Sequence, residues 1–140
     1  MRQGNRRMIK AVIDTNVLVS ALWTKNPNSP PRRILIALLK GQFIPLHNDE
    51  ILAEYSEVLR RREFKFDPEQ VTGIIESIRN EGLDTIRAKA SETFPDPDDR
   101  VFYEVALAEP DSRLVTGNLK HYPTSSIVVT PAQFCDLLGL

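Results

Sequence analysis

Residues Ile9 to Ile13 form a short apolar run, rich in β-branched side chains, that alternates poorly between apolar and polar positions. A strand with one wet face alternates with period two, so this run reads as a strand covered on both faces. Such a strand needs helices above and below the sheet, and the rest of the chain supplies them. Asn16 to Leu22 reads as a helix, then Asn26 to Pro31 as a loop by its turn residues. Arg32 to Lys40 reads as a helix with Gly41 as its stop, and Gln42 to Leu46 as a second strand. Asn48 or Asp49 caps a helix running to about Arg61. Asp67, Pro68 and Gln70 form a start signal for a helix that ends at Glu81, before Gly82. Asp96-Pro97 opens a helix through Ala108, Arg113 to Thr116 and Ser126 to Val129 are strands, and Thr130-Pro131-Ala132-Gln133 starts a last helix to Leu138. Short strands alternating with helices specify an α/β domain with a largely parallel sheet. It spans residues 9–140. Residues 1–8, basic through Arg2, Arg6 and Arg7, show no periodicity and read as a flexible lead-in, with Met8 as an alternative start.

Composition removes several function classes. A chain of 140 residues is long enough for one domain with a single core. An apolar share of 41% with 26% charged residues excludes disorder over the whole chain. The longest apolar run, Ile34 to Leu39, falls far short of the roughly 20 residues that cross a bilayer, so no membrane role is expected. The basic start lacks the apolar core and cleavage site of a secretory signal. Cys135 is the only cysteine, which excludes an internal disulfide and a multi-cysteine zinc site. It reads as a core or half-buried thiol, and the expected compartment is the reducing cytoplasm. The formal net charge of −1 argues against a generic nucleic-acid coat, while leaving a local acidic site open.

In an open parallel sheet, ligands bind outside the carboxyl ends of the strands. Asp14 stands at such an end, as either a helix cap or a functional carboxylate. Glu54 lies on the border of the stripe formed by Ile51, Tyr55, Val58 and Leu59, where a carboxylate is either paired or snorkelling to water. In Asp96-Pro97-Asp98-Asp99, Asp96 suits a cap and Pro97 the first helical position. Asp98 and Asp99 each line up with apolar residues of the following helix, and periodicity does not choose between them. Thr116-Gly117-Asn118 follows another strand; Gly117 permits a close approach or a positive φ, and Asn118 offers a neutral oxygen, unless the segment is simply a turn. No Gly-x-Ser-x-Gly, phosphate-cradling Gly-rich loop or His-Glu-x-x-His competes. His47 and His121 are far apart in sequence and read as surface or interface residues. A phosphoacceptor domain would want an acidic pair at the end of the first strand, where Asp14 stands alone.

Four segments together carry a resemblance. Val12 to Leu22, Ile51 to Leu59, Asp96 to Phe102 and Leu114 to Asn118 resemble, in order and spacing, the four motifs of PIN-domain ribonucleases. The similarity is greatest to small single-domain PIN proteins of toxin–antitoxin pairs. The resemblance implies a three-layer α/β/α domain with a five-stranded parallel sheet. It also implies that Asp14, Glu54 and Asp99, in preference to Asp98, are catalytic acids that hold Mg²⁺ or Mn²⁺, with Asn118 as a further oxygen ligand. Hard ions suit oxygen donors. Many relatives carry Asp where this chain has Asn118, and an acid where it has Lys120, which weakens the case for a second ion.

The activity so implied is metal-dependent hydrolysis of RNA phosphodiester bonds. Asn16, Thr116 and Asn118 would position water or phosphate by hydrogen bonds. Arg60, Arg61, Arg62 and Lys65, interleaved with Phe64 and Phe66, would meet the RNA backbone and a splayed base. The plainer alternative is a solvated helix end with both Phe packed inward. An antitoxin protein and a homodimer are the expected partners. A weakened PIN fold that only binds nucleic acid or protein is the alternative, supported by Asn118. Thr24 to Pro31 and Arg60 to Asp67 are the candidate lid segments.

Overall fold

The computed structural model describes residues 8–140. Arg2, Arg6 and Arg7 of the expected lead-in lie outside the described residues. Five strands form one all-parallel sheet: β1 (Lys10–Ile13), β2 (Ile44–His47), β3 (Leu83–Asp84), β4 (Arg113–Val115) and β5 (Val128–Val129), in the order β3-β2-β1-β4-β5. Successive side chains of a strand point to opposite faces, and Ala11, Val12 and Ile13 are all buried, so β1 is covered on both sides as its sequence requires. The chain winds outward from β1 through β2 to β3, then crosses back to β4 on the other flank. The carboxyl ends of β1 and β4 therefore meet at the switch in strand order.

Among the described residues, six helices accompany the sheet: α1 (Thr15–Trp23), α2 (Pro30–Leu39), α3 (Asp49–Leu59), α4 (Pro68–Glu81), α5 (Arg100–Ala108) and α6 (Pro131–Leu138). Their starts follow cap chemistry. Asn48 Oδ1 accepts from the N–H of Ile51, Asp67 Oδ1 from that of Glu69, and Thr130 with Gln133 closes a reciprocal capping box. The α2 helix begins two residues before its sequence signal suggests. Ser29 caps it, and the ring-locked φ of Pro30 and Pro31 suits a first turn whose N–H groups have no helical partner anyway. The helix expected from Pro97 instead opens as a 3₁₀ turn (Pro97–Asp99) before α5.

The fifth strand, β3, is the element the sequence pattern hid. It has only two residues, both exposed, so it carries no apolar signature. Gly82, ahead of it, ends α4 without a left-handed turn; its φ is −93°. Its need for glycine is steric. A Cβ there would lie 2.3 Å from the Pro45 carbonyl oxygen and 2.9 Å from the His47 ring. His47 itself corrects the surface reading. It ends β2 with both ring nitrogens buried and without a hydrogen-bond partner, and burial pushes its pKa down. Cys135 is buried as expected. No helix among the described residues is long and apolar enough to cross a membrane.

Candidate active site

Asp14 follows the last residue of β1, with its N–H bonded to the Val115 carbonyl of β4 at 2.9 Å. Although it precedes α1, its side chain makes no capping bond. Three donors converge on its Oδ2 instead: Thr116 Oγ1 at 2.8 Å, Tyr122 OH at 2.9 Å and Asn16 Nδ2 at 3.3 Å. The carboxylate is only 6% exposed, and burial raises its pKa against the opposing pull of the Thr116 and Tyr122 hydroxyls and of the Asn16 and Thr15 N–H groups. A buried acid held by this many donors, with α1 opening beside it, is fixed in one orientation. Thr116 is fully buried and Asn16 half-buried, so their donors hold the carboxylate rather than standing free in the cleft. Asn16 Oδ1 also accepts from the N–H of Gly117, which ties the start of α1 to the loop after β4.

Glu54 reaches the same place from α3. The next residue, Tyr55, is buried and donates its hydroxyl hydrogen bond to the Ile13 carbonyl, beside Asp14. That bond anchors α3 against the end of β1 and sets Glu54 next to the cleft. Thr15 Oγ1 donates to Glu54 Oε2 at 3.5 Å. Burial raises the Glu54 pKa, and the charges of Asp98, Asp14 and Glu57 raise it further.

The acidic run closes the third side. Asp96 caps its 3₁₀ turn through the Asp98 N–H at 2.9 Å. Asp98 is exposed, and its charge is felt by Glu54. Asp99 is turned inward with its side chain 15% exposed. Its pKa is pushed up to about 6, first by burial, then by Asp14 and Asp96, with His121 pulling the other way. The structure thus gives the two neighbouring acids different partners, which periodicity along a helix does not.

One family model matches the chain, that of the PIN domain, over residues 10–120. The chain belongs to the PIN-domain family. No curated protein and no solved structure gives a significant match. PIN domains are in general nucleases that use divalent metal ions, so the match supports a nuclease class for this fold.

Two side chains at this PIN site were not read from the sequence as functional. His121, in the 3₁₀ turn Leu119–His121, places Nδ1 3.1 Å from Asp99 Oδ2 and Nε2 3.0 Å from Asn118 Nδ2. With the Asn118 amide donating to Nε2, the ring proton sits on Nδ1 and faces Asp99. Asn118 is thereby engaged with His121. Tyr122, one residue on, reaches Asp14. The only available signal was proximity in sequence to Thr116-Gly117-Asn118, since neither residue belongs to an acidic pattern.

The donor set suits a hard divalent ion. Asp14, Glu54 and Asp99 each have a charged form disfavoured by burial, the Asp14 charge adds to this at Glu54 and Asp99, and a cation offsets both penalties. Among the described residues, no three His, Cys, Asp or Glu side chains converge closely enough to enclose an ion as they stand.

The basic segment is divided. Arg60 bonds Ser56 and Thr72, each at 3.0 Å, and Arg61 pairs with Glu57 at 2.8 Å. Arg62 and Lys65 make no ion pair among the described residues. Phe64 and Phe66 are half-buried and stacked on each other, with ring centroids 5.2 Å apart, and both meet Trp23 edge-on.

Proposed function

We propose that this PIN domain is a metal-dependent endoribonuclease and the toxin of a toxin–antitoxin pair, working in the cytoplasm as a homodimer that an antitoxin protein blocks. The observation that carries the catalytic part is that the Asp14 charge, at the end of β1, acts on both Glu54 of α3 and Asp99 of the turn before α5 across one strand-end cleft. The toxin role, the antitoxin and the dimer rest on the resemblance of the four motifs. Asp14 and Asp99 would hold Mg²⁺ or Mn²⁺, with Glu54 binding a second ion or the attacking water and Asn118 lending an oxygen. A bound ion supplies an activated water and stabilises charge growing on the phosphate.

The chain's own residues perform the remaining work. Thr116, Tyr122 and Asn16 fix the Asp14 carboxylate. His121 donates to Asp99, orienting that carboxylate while its other nitrogen positions Asn118. The arrangement resembles the outer partners that steer metal ligands, whose removal commonly costs 10–100-fold. His121→Ala is expected to lower RNA cleavage by about 10–100-fold, with a smaller loss in His121→Gln. A rate equal to wild type in His121→Ala would remove it from the site.

The reading is tested by calorimetric Mn²⁺ and Mg²⁺ binding to the wild type, Asp14→Asn and Asp99→Asn, followed by an RNA cleavage screen. Binding lost in both variants, together with metal-dependent cleavage, supports it. A second reading, a PIN fold that binds without cutting, is favoured by Asn118 standing where relatives place an acid. Metal-independent RNA or protein binding with no cleavage in Mn²⁺ would select it.

A further inference from the structure

We propose that the open cleft lined by Trp23 and Phe64 is a subsite for an unpaired nucleobase, holding single-stranded RNA two helical turns from the catalytic carboxylates. The inference rests on the reading of the site as an RNA-cutting centre and extends it to how substrate is held.

Asn16, Ser20 and Trp23 fall at i, i+4 and i+7 of α1, so they share one face. At one end of that face Asn16 bonds Asp14 and the Gly117 N–H. At the other end, about 10 Å along the axis, stands Trp23. Trp23 is 60% exposed although it contacts two other aromatic rings. The Phe64 ring lies 5.8 Å from it and nearly perpendicular, at 82°, and stacks on Phe66 at 11°. The open cleft beside this pair has a volume of about 450 Å³ and is lined by Val19, Ser20, Trp23, Thr24 and Phe64.

The chemistry of this lining selects the occupant. Two aromatic rings offer stacking surfaces, and two hydroxyls offer partners to a base edge that accept or donate as required. Val19 is the sole aliphatic contribution. An amphipathic helix would need several aliphatic anchors in a continuous groove. The surroundings match a phosphate backbone. Lys25 lies two residues from Trp23, and Arg62 and Lys65 flank Phe64. None of the three makes an ion pair among the described residues. Residues 60–67 hold four cations against Glu63 and Asp67, in a chain whose net charge is −1. The two segments singled out as candidate lids thus both border this cleft, through Thr24 and Phe64. Stacking, being tolerant of sequence, would hold RNA here without reading it.

Trp23 is the only tryptophan, so its fluorescence reports on the cleft alone. A hexauridylate and a hexamer of the same phosphates without bases are titrated into the full chain in EDTA, where cleavage is suppressed. The expected result is quenching of Trp23 by the base-bearing strand and little by the abasic one. Labelled hexauridylate, followed by anisotropy, should bind Trp23→Leu about 5- to 100-fold more weakly, the scale of one lost stacking contact, with most affinity restored in Trp23→Phe. In Mn²⁺, Trp23→Leu should raise KM for a long RNA more than it lowers kcat. Equal quenching by both strands, or wild-type affinity in Trp23→Leu, overturns the subsite and leaves the cleft to a protein partner. RNA cleavage indifferent to Trp23→Leu sinks the subsite while the catalytic reading stands. Base-dependent quenching without cleavage in any metal sinks the catalytic reading while the subsite stands.

Discussion

Asp14 and Glu54 face the same cleft, and burial disfavours the charge of both, yet they are held in opposite ways. Asp14 is buried at a strand end with three donors on a single oxygen. Glu54 is half-buried on a helix, with one contact at 3.5 Å and three acids acting on its charge. Each hydrogen bond to a charged group is worth about 1.5–3 kcal/mol, so the Asp14 wall is oriented before any ligand arrives. The Glu54 wall is kept apart by repulsion and is free to close. The contrast assigns the two walls different work: one fixes where a cation sits, the other adjusts around it.

The largest expected effect tests the fixed wall. Asp14→Asn should reduce Mn²⁺ affinity and RNA cleavage by more than about 100-fold, beyond the usual cost of losing an outer partner of a ligand. The same change should raise the Tm of the metal-free protein, because it deletes a buried charge that Glu54 and Asp99 both oppose. Calorimetry of ion binding and of unfolding reads both. Glu54→Gln should cost less, about 10–100-fold in cleavage, with ion binding weakened but measurable. Equal losses in the two variants would erase the distinction between the walls.

The same distinction explains what the sequence could and could not reveal. The Asp14 wall is legible because it is local: an apolar run without alternation, then an acid, then a helix. The sheet's central strands and the cap-marked helices are legible for the same reason. Asp98 and Asp99 stayed ambiguous because both positions suit the face of one helix, and their separation depends on Asp14 and Glu54, which come from elsewhere in the chain. The β3 strand was hidden because two exposed residues carry no pattern. His47 was misplaced because nothing local announces that α4 and Gly82 close over it. His121 and Tyr122 were missed as site residues because their roles exist only through partners 22 and 108 positions away. Trp23 carries no local signal because its partners, Phe64 and Phe66, are brought to it only by the fold.

A smaller effect is expected from loosening the fixed wall without removing its charge. Tyr122→Phe deletes one of the three donors to Asp14 Oδ2. It should destabilise the protein by about 1–2 kcal/mol at neutral pH, seen as a lower denaturant midpoint. Ion affinity should fall by less than about tenfold, since Thr116 and Asn16 still orient the carboxylate. A loss as large as that of Asp14→Asn would mean that orientation, not charge, is what the wall supplies.

The smallest effect is a pH dependence that joins the two walls. Asp14, Glu54 and Asp99 all have pKa values raised in the folded state, that of Asp99 to about 6 from an ordinary 3.8. The folded protein therefore binds protons more tightly than the unfolded chain. Stability from this source is fully present below the ordinary carboxylate pKa and is lost as pH rises through about 6. Glu104, Glu57 and His47, with lowered values, act in the opposite sense: the two carboxylates withdraw stability as pH falls below the ordinary carboxylate range, and the one histidine, outnumbered by the three raised acids, withdraws it below its ordinary 6.5. In EDTA the Tm should accordingly be a few degrees higher near pH 5 than near pH 7.5, and fall again in stronger acid. Saturating Mn²⁺ should reverse the slope between those two values, because a cation favours the deprotonated carboxylates. In Asp14→Asn the metal-free slope should flatten, since Asp14 is the first charge, after burial, that raises Asp99. A slope unchanged in that variant would show that the two acids do not share a cleft in solution.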